Sequence, residues 1–233
     1  MMLSKQSLDM KNTVKIDYYS DILCVWAYIG HVRTYELQQQ FPNQLECLWH
    51  YLPVFGDVPS KLQNQWQERG GAAGYASHVR EVVDRFDHVK LNDACWRTVQ
   101  PASSAPAHLW LAAARLAEIA GDVPAKSEEK LAWALRTAFF EHAFDIAQQS
   151  KLIEVASNVG LDSAVLLDRI TDGTAYAVLC QDTQKARDAN IRISPTYVFN
   201  EDRQLLTGNV GYRIIEANIK ELLEQPQKQQ SWC

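Results

Sequence analysis

The residue types best suited to chemistry lie in one stretch, Lys15 to Gly30. Val14, Ile16 and Tyr18 alternate with Lys15, Asp17 and Tyr19, the pattern of a strand. Ser20 and Asp21 form a short polar turn, and a helical pattern follows. Cys24 falls at the junction, where unsatisfied helix amides and the positive helix end favour a thiolate. The same position also suits a small buried hydrophobe, the usual state of a free cysteine. Both readings stay open on these residues alone. Asp17 and Asp21, if close in space, would push the thiol the other way.

The other cysteines stand at 47, 95, 180 and 233, with no C-x-x-C pair and no metal-ligand spacing. An odd, scattered set argues for reduced thiols, and the four read as structural or incidental. His31 lies two turns beyond Cys24, far for a general base. His108 opens a helix and reads as a packing or capping residue. Lys61, Arg69, Gly70, Gly71, Tyr75, His78 and Arg80 mark a segment that would serve either as a cationic lid or as a mobile polar surface.

The elements that must position Cys24 follow from periodicity. Val14–Tyr19 is a strand, Leu23 to about Gln40 a helix, and Leu45–Leu52 a strand apolar on both faces. That order is a right-handed βαβ unit with parallel strands. Next come a turn-rich connection from Pro53 to Lys61, a short helix over Gln63–Arg69 and a flexible glycine cluster at Gly70–Gly74. Further helices are expected at Tyr75–Phe86, Ala107–Ala120, Glu128–Ala143, Lys151–Val159 capped by Ser150, and Asp162–Thr171. Ala175–Ala189 is helical, Ile193–Phe199 and Gln204–Thr207 form a hairpin, and Tyr212–Leu223 is a last helix. Two distant segments must therefore complete one sheet around an inserted helical block.

The expected organisation is α/β. A β-α-β half covers 13–56, a helical insertion 57–172, an α-β-β-α half 173–224 and a flexible tail 225–233. With 47% hydrophobic residues the chain has ample material for a core. A net charge of −5 with no basic stripe argues against nucleic acid. No apolar run is long enough for a membrane span or a signal peptide, so a cytoplasmic protein is expected.

These pieces together resemble the DsbA-like branch of the thioredoxin fold. Within it the chain is most similar to FrnE-type oxidoreductases, 2-hydroxychromene-2-carboxylate isomerases and kappa-class glutathione transferases. The likeness rests on five pieces: Asp21-Ile22-Leu23-Cys24-Val25-Trp26-Ala27-Tyr28-Ile29-Gly30; Ala107-His108-Leu109; Phe139-Phe140-Glu141 with Asp145-Ile146; Gly160-Leu161-Asp162; and Ser194-Pro195-Thr196. They span about Lys15 to Leu223.

The resemblance implies that Pro195 is a cis-proline facing Cys24. It also implies that Ser194 offers backbone groups to a peptide or glutathione. Trp26 would wall the site in part. The FrnE-type motif resembles C-P-W-C, but here Ala27 replaces the second cysteine. A dithiol cycle, in which the second thiol resolves the mixed disulfide, is then chemically closed.

The resemblance leaves monothiol chemistry at Cys24 with glutathione as cofactor, or a transferase or isomerase in which Cys24 only orients glutathione, or a binding module without catalysis. A small thiol or peptide-like substrate and a homodimer are implied, and no metal. In kappa-class proteins the bend before the last helix resembles Gly-Ser-Asp-Arg and holds the γ-glutamyl end. Here Asn209 takes the serine place and Val210 the acid place, so one charge-assisted contact is lost.

Overall fold

The computed structural model describes residues 13–201 and 203–224. The expected frayed start, the tail and Cys233 lie outside them. β1 (Val14–Ser20), α1 (Val25–Gln40) and β2 (Leu45–Tyr51) come first. Helices α2 (Val58–Trp66), α3 (Gly71–Val83), α4 (Ala105–Ala120), α5 (Ser127–Phe140), α6 (Gln149–Asn158) and α7 (Ser163–Thr171) follow, with a 3-10 turn at Gln67–Arg69 after α2. The chain returns through α8 (Thr174–Asp188), β3 (Thr196–Phe199), β4 (Gln204–Thr207) and α9 (Tyr212–Glu224).

The sheet order is β2-β1-β3-β4. β1 and β2 run parallel from Val14↔Leu45 to Ser20↔Tyr51, and β1 pairs antiparallel with β3 at Tyr18↔Tyr197. The distant halves thus meet in one sheet, with β1 central. That placement explains why both faces of β1 are buried from Ile16 to Ser20. α4 packs on α5, α7 and α8, and its buried run from Ala107 to Ala114 explains its apolar composition on nearly every side. Among the described residues, no helix is long and apolar enough to cross a membrane.

Several boundaries differ from the sequence reading. α2 starts at Val58, where Asp57 accepts the Ser60 N–H and Pro59 fits the first turn. Ser150 lies inside α6, and the N-cap is Gln148. Ser194 and Pro195 precede β3, which starts at Thr196.

The glycine cluster is a tight joint. Gly70 and Gly71 hold left-handed φ of 88° and 59°. A Cβ on Gly74 would lie 1.7 Å from the Arg69 carbonyl oxygen. Only glycine lets α3 start so close to the turn that ends α2.

Candidate active site

Cys24 is the N-cap of α1, with extended backbone (φ −77°, ψ 117°). Its Sγ donates to the Ser194 carbonyl at 3.2 Å, and the Ser194–Pro195 peptide is cis. Cys24, Ser194 and Pro195 therefore come together, 170 residues apart in the chain. Trp26 is half-buried and meets Phe86 edge-on at 6.3 Å. Ala27 is fully buried where a second thiol would stand.

The expectation that the helix start would favour the thiolate is overturned in its net direction. Cys24 is only 7% exposed, and burial pushes its thiol up. The Asp21 charge pushes the same way. Hydrogen bonding by the Ser194 side chain and by the Ala27 and Trp26 amides pulls down without prevailing. A helix terminus acts through aligned amides, whereas burial in a dry contact costs the charged form its hydration.

Asp21 is the residue whose importance the sequence hid. It is completely buried. Its Oδ1 accepts from Leu23 N–H, and its Oδ2 accepts from Phe55 N–H and the Ser104 hydroxyl, each at 2.8 Å. Its own N–H donates to Ser194 Oγ at 2.8 Å. The carboxylate thus ties the turn before Cys24 to the loop after β2 and to the start of α4, and the backbone of the same residue ties it to the cis-proline loop. His108 accepts the Ile22 N–H at 3.1 Å, and burial holds this histidine neutral. It packs, as expected, but directly against the Cys24 turn. The signal for both was present as polar residues in apolar surroundings, yet their partners lie up to 173 residues away.

Lys61 of the expected lid segment reaches the site. Its ammonium sits 4.9 Å over the Phe55 ring, and burial lowers its pKa while the charges of Asp21 and Cys24 raise it. Tyr75 is buried against Phe55, Trp66 and Trp96. Asp17 faces elsewhere, with His50 Nε2 at 2.6 Å and Lys185 Nζ at 2.5 Å. His31 is buried and accepts from Arg136 at 2.5 Å, so it serves the core.

Asn209 is exposed, and its Oδ1 accepts from Arg33 Nη1 at 2.5 Å. The same nitrogen donates to the Val210 carbonyl at 3.0 Å. Arg33 follows Cys24 by nine residues on α1, about 13 Å along the axis. Asn209 is therefore held at the flank of α1 and not beside the thiol. Among the described residues Cys47, Cys95 and Cys180 are free, and no group of three or more metal-ligating side chains occurs. Burial pushes Cys95 up to about 12, and its Sγ donates to the Phe139 carbonyl at 2.8 Å.

A thiol at a helix start, facing a cis-proline loop beside a β2-β1-β3-β4 sheet, defines a thioredoxin-fold protein. The chain belongs to the DsbA-like thioredoxin domain family, which it matches over residues 15–220. In structure it is similar to a candidate protein disulfide isomerase from Nitrosomonas europaea. The two share 15% identity, 91% of this chain and 98% of that one are covered, and the TM-score is 0.75. It is also similar to the cytosolic disulfide reductase DsbM from Pseudomonas aeruginosa, at 14% identity, 88% and 98% coverage and TM-score 0.63. DsbM has also been solved with GSH. A third likeness is to 2-hydroxychromene-2-carboxylate isomerase, at 15% identity, 93% and 100% coverage and TM-score 0.63. At these identities the likeness is one of fold. No curated protein matches in sequence.

Proposed function

We propose that the protein is a cytoplasmic oxidoreductase of the DsbA-like family that works by monothiol exchange at Cys24, with glutathione as co-substrate. The observation that carries this reading is the Cys24 thiol 3.2 Å from the Ser194 carbonyl while Ala27 fills the second-cysteine place. The Cys24 thiolate attacks a mixed disulfide of glutathione, forming Cys24–S–S–glutathione and releasing the other sulfur as a thiolate. A glutathione thiolate then attacks that bond, freeing Cys24 and leaving oxidised glutathione. The net reaction turns the mixed disulfide and one free glutathione into the free substrate thiol and oxidised glutathione, whose second glutathionyl group comes from the substrate.

Ser194 would pair with the backbone of the bound thiol, and Trp26 and Pro195 would wall it. Arg33, held beside Asn209 and Val210, has no carboxylate partner among the described residues. It would hold a glutathione carboxylate where kappa-class proteins carry an acid for the amine. Three extended residues span roughly 10 Å, and the long arginine side chain covers the remaining distance.

A second reading is favoured by the raised thiol. A Cys24 that stays protonated can donate its S–H to a bound thiolate, as a serine hydroxyl would in a transferase or isomerase.

The two separate on one comparison. Exposed to oxidised glutathione, wild-type protein should gain a single glutathione adduct at Cys24 and none at Cys47 or Cys180, and Cys24→Ser should gain none. Modification elsewhere with Cys24 untouched would sink the monothiol reading. Glutathione conjugation of an electrophile that survives Cys24→Ser would select the second.

A further inference from the structure

Strand β2 is one edge of the sheet, and its outer side is only half closed. Gln44 O bonds to Val14 N–H and Leu52 N–H to Ser20 O, so even-numbered residues of this strand face β1. Residues 45, 47, 49 and 51 turn their backbone groups outward. At one end side chains close the edge: Tyr51 N–H donates to Asp182 Oδ2 at 3.2 Å, and the Trp49 carbonyl accepts from Arg115. At the other end nothing does. The outward amides and carbonyls of Leu45 and Cys47 have no partner among the described residues. They open on a cavity of about 750 Å³ that is also lined by Gln38, Phe41, Ile119 and Glu128. Ile119 is 77% exposed at its rim.

With the Arg115–Glu128 and His50 pairs set aside, the carboxylates at this opening outnumber its one unpaired cation among the described residues, Lys126. Glu118, Glu128 and Glu129 line it, and Glu46 is exposed on the strand itself. Arg115 is pinned between Glu128 and Asp182, and Lys126 is turned onto Gln38 at 2.7 Å. His50 is held between Asp17 and Asp182. Glu118 takes the Lys126 and Glu128 amides, and Glu129 accepts from Gln38. Neither carboxylate has a cationic side chain in ion-pair range among the described residues.

An edge strand that is shielded along half its length and left open over an acidic cavity is built to take another strand. We propose that the open edge of β2 is a docking site for an extended, basic segment of a partner protein. The segment adds a strand beside Leu45 and Cys47 and lays lysine or arginine side chains against Glu118 and Glu129. Because β1 and β2 are parallel, this opening lies at the end of the sheet away from Cys24, about 20 Å along the strand direction. It is a second site, independent of the thiol chemistry.

The probe is a fluorescein-tagged hexapeptide alternating valine and arginine, with a valine–glutamate peptide as its counterpart, added to the full chain at pH 8 and low salt. The basic peptide should bind at least tenfold tighter than the acidic one. It should slow hydrogen exchange of the outward Leu45 and Cys47 backbone amides and leave that of Cys180 unaffected. Glu129→Lys should weaken it at least tenfold. Cys47→Pro removes an outward N–H without removing a bond to β1, and should abolish binding at an unchanged circular dichroism spectrum. If that variant unfolds, the exchange contrast decides. Equal affinity for the two peptides, or no protection of the Leu45 and Cys47 amides, would overturn the proposal. A dimer in sedimentation that loses its affinity in Cys47→Pro would assign the edge to a second copy and overturn it as well.

Discussion

Asp21 binds four separate pieces of chain and also sets the state of the thiol beside it. Its charge raises the Cys24 pKa, so Asp21→Asn should lower it and speed Cys24 alkylation several-fold at pH 8. The same change should cost stability. An asparagine offers one carbonyl oxygen to the three groups that donate to the carboxylate. Its amide can face the Ser104 hydroxyl, which can turn to accept, but not the Leu23 or Phe55 N–H. One buried donor left without a partner costs about 1–3 kcal/mol, readable in a urea titration. Unchanged alkylation with a lowered melt would show that Asp21 is structural only. At this scale Cys24 was legible as the reactive candidate, because a thiol between a strand and a helix is a local pattern. Its raised pKa was not legible. It comes from burial under elements contributed by distant sequence, with the Asp21 charge adding to it and Ser194 opposing it.

The helices were readable wherever apolar residues recur at helical spacing, as in α4 and α5, because that spacing alone decides which face is buried. The α2–α3 corner was not. A run of glycines gives the same signal whether the backbone is loose or forced into close approach, and only the position of Arg69 tells them apart. The corner matters because α2 carries Lys61 and α3 carries Tyr75, which flank the Cys24 side of the molecule. Gly74→Ala should force α3 away from the turn, since the obstructing atom is backbone oxygen and cannot rotate aside. A loss above about 2 kcal/mol is expected, within the range for core overpacking. Gly71→Ala meets no atom within 4 Å and pays only for its left-handed φ, about 1 kcal/mol. Thermal melts of the two variants should rank in that order. Faster Cys24 alkylation in Gly74→Ala alone would further tie the corner to cover over the thiol. Equal melting of the two would refute the close-approach account.

Across the whole molecule, one charge network, exposed at Lys185 and otherwise buried or half-buried, joins the two halves of the sheet domain to the helical block. Asp17 of β1, His50 of β2, Arg115 of α4, Glu128 of α5 and Asp182 and Lys185 of α8 are linked through bonds of 2.5–3.1 Å. The sequence hid it, since each member reads alone as an ordinary surface charge. Burial holds Glu128 up at about 7, against its bonds to Arg115 and Tyr51. Burial works against His50 ionisation, but Asp17 and Asp182 raise its pKa on balance. Asp17 opposes its own burial through His50 and Lys185 and is held at about 2. The sign of the pH dependence follows. From about pH 4.5 to 7 the folded chain keeps a proton on Glu128 that the unfolded chain has lost, so stability falls as pH rises through this range. His50 adds to that fall above its unfolded value of 6.5, because its contribution is present at lower pH and lost as pH climbs through its raised folded value. Asp17 stabilises above pH 3.8 and withdraws that contribution only as pH drops toward 2. Stability should therefore be greater near pH 5 than near pH 8. The Glu128 share is at most about 3 kcal/mol, from its separation of folded and unfolded values. Urea titrations at pH 5 and pH 8 read this directly. Glu128→Gln keeps an acceptor for Tyr51 and Arg115 but carries no titrating proton, so it should flatten the curve between pH 5 and 7 and leave the His50 fall above 6.5. A wild-type curve that rises from pH 5 to pH 8 would mean that the ionised carboxylate, paired with Arg115, is the preferred form in the folded chain.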